Sequence, residues 1–126
     1  MKSILTIVAF IEAATGLALL AVPSVAVSLL LGTSLTEPSG MLLGRIGGAA
    51  LISLAIACWL SRNNTQSSLV MIKALVMYNI SAASVLALGK LTEKFTGLAL
   101  WPVVLLHAGL LVWCLQSLWN NARDQK

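Results

Sequence analysis

The chain has 126 residues, of which 59% are hydrophobic and only 10% charged, and it carries a net charge of +4. A soluble domain of this size covers itself with about a quarter charged residues, so water is excluded as the main solvent and a lipid bilayer is the partner that the composition demands. The basic residues are scattered along the chain and build no basic face or stripe, which argues against a nucleic-acid partner.

A membrane-crossing helix needs about 20 mostly apolar residues. Four stretches meet that length, at about 4–22, 41–60, 69–89 and 98–119. They predict an all-α fold, an integral membrane four-helix bundle of up-and-down topology, forming a single transmembrane domain over residues 1–126.

The first stretch, "ILTIVAFIEAATGLALLAV", has a carboxylate at its centre, Glu12. Lys2, the apolar run and "AVPSVA" imitate the charged region, core and cleavage site of a signal peptide, but Glu12 and the length of the run favour a retained first span. Ten residues of Ile, Leu, Val or Phe lie between Ile4 and Val22. Each contributes roughly −0.3 to −0.6 kcal/mol to insertion, against about +2.5 to +3.5 for a central acid, so the span is tolerated and Glu12 then needs a partner or a proton.

The longest connection, "PSVAVSLLLGTSLTEPSG", contains an apolar piece over residues 25–31 that is too short to cross. Pro23 suits the first position of a helix and Gly32 suits its end, so a short interfacial or partly re-entrant helix is expected between spans one and two.

Span two opens with Gly40, Gly44 and Gly48, spaced by four, and span one carries a weaker small-residue stripe at Ala9, Ala13 and Gly16. Such stripes let two backbones approach closely. Packing within one chain is the leading reading; a homo-oligomer interface or a contact within a larger membrane complex is the sharper alternative. The later loops, "SRNNTQSS" and "KLTEKFT", are short, so consecutive spans are expected to be antiparallel neighbours.

Trp59 and Trp119 close spans two and four on one side, and Trp101 opens span four on the other. Those depths are where indoles anchor at the interface; Trp113, placed deeper, reads as packing. Lys73 stands near the start of span three, from where it can snorkel to the interface. Lys2, Arg62, Arg123 and Lys126 fall on one side against Lys90 and Lys94 on the other, which predicts both termini in the cytoplasm.

Four polar residues stand inside the spans. Glu12, Asn79 and His107 lie near the middles of spans one, three and four, and Arg45 lies roughly 8 Å from the middle of span two at 1.5 Å per residue. The expectation is an intramembrane layer of Glu12, Arg45, Asn79 and His107 with a Glu12–Arg45 ion pair at its heart. Such a layer either clamps helix register or marks a proton or substrate pathway.

No cofactor is implied: there is no Gly-rich phosphate loop, catalytic triad or paired carboxylate, and enzymatic activity finds no support. Cys58 and Cys114 form no CxxC pair. His107 and Cys114 stand roughly 10 Å apart along one helix, too far to share a metal ion, so no metal site is expected and the cysteines read as small core residues.

Two resemblances accompany this reading. "TGLALLAVPSVAVSLLLG" followed by "GRIGGAALISLAIACWL" resembles the first half of small bacterial four-span membrane proteins of the DoxX-like kind, on Pro23, Gly32, Arg45 and Gly48. That resemblance covers about half the chain, transfers no catalytic residue and implies an accessory role, since some relatives serve as membrane subunits of quinone-linked oxidoreductases. The chain is also similar to small multidrug resistance transporters in length, span number and an embedded Glu in span one, the role Glu12 would fill as carrier of an exchangeable proton. It departs from them in Arg45, Lys73, His107 and the longer first connection. The functional expectation is therefore a non-enzymatic accessory or oligomerising subunit of the bacterial inner membrane, with a proton-coupled small-molecule transporter as the alternative.

Overall fold

A computed structural model describes residues 1–124. Its elements, in chain order, are α1 (Lys2–Ala21), α2 (Pro23–Leu31), α3 (Pro38–Ser61), α4 (Thr65–Thr92) and α5 (Leu100–Asp124). No strand occurs among the described residues. All but α2 are long and apolar enough to cross a membrane, so the fold is the all-α four-helix bundle with a short helix between the first two spans.

Local chemistry sets the boundaries. A residue before proline is pushed out of the helical region, and Val22, ahead of Pro23, leaves it at φ −136° and ψ 58°, ending α1. Pro23 then opens α2 at a position where its missing N–H costs nothing, and Gly32 closes α2 in the left-handed conformation at φ 79°. Pro38 likewise opens α3. The Asn64 side chain caps α4 by accepting from the Ser67 amide, and the Ser68 hydroxyl donates to the Ser61 carbonyl across the same turn at 2.8 Å. α3 and α4 outrun their apolar stretches at both ends because their caps lie in polar sequence that hydropathy does not mark, whereas α1 stops one residue before the expected end of its span and α5 starts two residues after the expected start of its own.

The bundle consists of two tight antiparallel pairs, α1 with α3 and α4 with α5, which meet where α3 and α1 face α4. In the first pair Gly16 and Gly48 are opposed. A Cβ built on either would stand 2.7 Å from the other's carbonyl oxygen, so the two backbones touch. Gly44 faces Pro23 and Leu35, and Gly40 faces Leu35, so the glycine stripe is consumed by packing inside the chain. Ala13 is half-buried along the same pair.

The apolar core lies in the half of the bundle near the termini, where Leu5 and Val8 of α1, Cys58 of α3, Ile72 and Leu75 of α4 and Cys114 of α5 pack together. Both cysteines are free and buried within it. Outward, large apolar side chains such as Phe10, Leu43, Leu60, Leu91 and Leu105 are exposed, the inside-out pattern of a bundle whose solvent is lipid. Trp59, Trp101 and Trp119 are also exposed, at the helix ends expected of interfacial anchors. Lys73 is exposed two turns into α4.

At the far end α2 packs on α1, α3 and α5. The last carbonyls of any helix lack intrahelical donors. Here the loop before α5 supplies them: the Thr96 amide donates to the Leu31 carbonyl at 3.1 Å and the Ala99 amide to the Leu29 carbonyl at 2.9 Å. Gly97 sits between these bonds, so close that a Cβ would fall 2.1 Å from the Leu30 carbonyl oxygen.

Candidate functional site: a polar chain across three helices

Each helix aims its polar residue inward by placing it in an apolar stripe. Glu12 continues the buried line of Leu5 and Val8 and precedes Gly16 on α1. Asn79 follows Ile72 and Leu75 on α4, and His107 stands between Val104 and Leu110 on α5. All three side chains are buried, Glu12 to 2% and Asn79 to 0% exposure. A polar group held so deep must find hydrogen bonds, because an unmet one costs about 1–3 kcal/mol.

Two hydrogen-bonded pairs, joined by a ring contact, form one chain. The Tyr78 hydroxyl donates to Glu12 Oε2 at 3.0 Å, joining α4 to α1. The Tyr78 ring meets the His107 ring edge to face, with centroids 5.4 Å apart at 81°. His107 Nδ1 lies 2.9 Å from Asn79 Oδ1, joining α5 to α4. Asn79 is itself oriented, since its Nδ2 donates to the Leu75 carbonyl at 2.8 Å. That bond presents the amide oxygen to the imidazole, so Nδ1 is the donor and a neutral His107 carries its lone pair on Nε2.

Three of the four expected members of the layer therefore come together, and the fourth does not. Arg45 is exposed on α3, and the partner of Glu12 is Tyr78 in place of the expected guanidinium. The register of the α1/α3 pair explains this. With Gly16 opposite Gly48, Glu12 lies one turn from the crossing toward the termini, and Arg45 nearly one turn from it toward α2. At 1.5 Å per residue their axial separation is about 10 Å.

Tyr78 is the residue of this candidate site that sequence reasoning missed. It is the chain's one tyrosine, it sits at mid-span beside Asn79, and a buried phenol normally requires an acceptor. Those facts together could have nominated it for Glu12.

Among the described residues no group of three or more His, Cys, Asp or Glu side chains could hold a metal ion. No buried side-chain nitrogen or oxygen lacks a hydrogen-bond partner among them either. What the arrangement can do is fix α1, α4 and α5 in register and hold an acid, a phenol and an imidazole in sequence at one depth. Comparison with protein-family models, with curated proteins and with solved structures yields no match.

Proposed function

We propose that this multi-pass membrane protein is a non-enzymatic accessory subunit of the bacterial inner membrane, with both termini in the cytoplasm. In this reading the Glu12–Tyr78–His107–Asn79 chain is a register clamp that holds the α1/α3 pair against the α4/α5 pair. The observation that supports it is that Glu12 is bonded to Tyr78 and His107 to Asn79, with no buried side-chain nitrogen or oxygen among the described residues left without a hydrogen-bond partner, as a clamp between helices requires. The extensive exposed apolar surface offers room for neighbouring subunits, and the resemblance to DoxX-like proteins points to the same role. The test is gentle extraction from native membranes followed by sizing. Stoichiometric association with a redox or envelope complex is expected; a particle holding this chain alone, in membranes where such complexes stay intact, would overturn the reading.

One observation favours a second reading. Glu12 is buried with a hydroxyl for a partner and no cation, the state in which a carboxyl can exchange a proton without breaking an ion pair. On that reading the chain is the coupling site of a proton-driven small-molecule transporter. Uptake or efflux by proteoliposomes under a pH gradient, lost in Glu12→Gln, would select it over the accessory role.

A further inference from the structure

On the flank of α1 away from Glu12, a groove of about 270 Å³ runs between α1 and α3. Ala9, Ala13 and Ala55 make its floor, and Phe10, Ile56 and Trp59 its rim, so a chain lying in it meets only apolar groups. From residue 52 to residue 59 it extends about 10 Å along α3 at 1.5 Å per residue, a third of the roughly 30 Å hydrocarbon core. It ends at Trp59, in the zone where indoles mark the headgroup boundary.

The charge at that end is not neutral. Phe10 and Trp59 meet edge to face, with centroids 5.8 Å apart, and the Arg62 guanidinium stacks on the Trp59 ring 3.2 Å from its centroid. Arg62 Nη1 donates to the Trp59 carbonyl, which uses one of the five N–H donors of a guanidinium. The stack fixes the plane of the remaining donors, the fork that matches a phosphate. Lys2 lies seven residues before Ala9, two helical turns along the same flank of α1. Lys73 and Arg123 belong to the same end of the bundle, where Asp124 is the single acid among the described residues.

We propose that this groove seats one acyl chain of an anionic phospholipid, whose phosphate is held by Arg62 at the end of the bundle that carries both termini. A second copy is the poorer occupant: a parallel neighbour would bring two positively charged ends together. A zwitterionic lipid fits the apolar walls equally but gains no net attraction at the mouth.

The experiment uses the full chain in detergent, with phosphatidylglycerol and phosphatidylcholine added in equal amounts and retained lipid read by native mass spectrometry. Preferential retention of phosphatidylglycerol is expected, falling roughly fivefold in Arg62→Gln and falling also with added salt in the wild type. Ala13→Leu, which fills the floor, should lower retention of both lipids, while Arg45→Gln at the opposite end should change neither. Equal retention of the two lipids by the wild type overturns the proposal, as does an Arg62→Gln protein with wild-type preference. Efficient cross-linking of Ile56→Cys to a second copy in membranes would assign the groove to a dimer and overturn it as well.

Discussion

Tyr78 and Glu12 lie 66 positions apart in sequence and 3.0 Å apart in space, and theirs is the side-chain hydrogen bond that ties the α4/α5 pair to α1. Removing the hydroxyl orphans a buried carboxyl, so Tyr78→Phe should lower stability by about 1–2 kcal/mol. Glu12→Gln keeps an oxygen that accepts from Tyr78 and should stay within about 1 kcal/mol of wild type. An ion pair with Arg45 would give a different result, because the same Gln would then strand a buried cation at a cost of roughly 3–5 kcal/mol. Unfolding of both variants in micelles, followed by circular dichroism, separates the two arrangements.

Asn79 sets the tautomer of His107, since its own Nδ2 is committed to Leu75. In Asn79→Ala the imidazole loses the acceptor that holds the proton on Nδ1. The population of that tautomer should fall and stability drop by about 1 kcal/mol. His107 is the chain's one histidine, so its ring ¹⁵N resonances report this without overlap. An unchanged tautomer in the variant would show that Asn79 does not orient the ring.

Where sequence reasoning succeeded and failed follows from what each signal encodes. Hydropathy marks desolvated lengths, so the four spans were legible, and Pro23 and Gly32 made α2 legible because their backbone preferences are local. The Gly16 and Gly48 stripes were readable as packing because small residues at helical spacing have few other uses in lipid. Arg45 was misplaced because ranking by depth says nothing of rotation or of which residues oppose each other at a crossing. Tyr78 was overlooked for a related reason: a phenol reads as neutral until the helix opposite supplies a carboxyl. The bonds from Thr96 and Ala99 to α2 join backbone groups, and side-chain identity carries no trace of them except at Gly97.

The Gly16–Gly48 crossing makes its own forecast. Gly16→Ala or Gly48→Ala would put a Cβ 2.7 Å from a backbone oxygen that cannot move aside, so the helices must part, at about 1–3 kcal/mol. Gly47, one residue away, has nothing within 4 Å of a built Cβ. Gly47→Ala should therefore be neutral or stabilising by up to about 1 kcal/mol through helix propensity. Parallel unfolding of the three variants in mixed micelles checks the order, and equal losses at all three positions would contradict this crossing.

The junction of α2 with the loop before α5 should respond to Gly97→Ala in a local way. The new methyl would meet the Leu30 carbonyl oxygen at 2.1 Å and the Leu31 nitrogen at 2.6 Å. Both belong to helical backbone, so the loop must lift and break the bonds from Thr96 and Ala99. Water at the membrane boundary can then satisfy the freed groups, which keeps the loss of global stability to about 1–2 kcal/mol. Hydrogen exchange is the sharper measurement, because local opening registers there even when the global fold persists. The Thr96 and Ala99 amides should exchange faster by an order of magnitude or more, while amides around Leu5 and Leu75, in the core at the other end, keep their wild-type protection. Faster exchange in both halves together would mean that the bundle opens as one unit and that the α2 junction has no stability of its own.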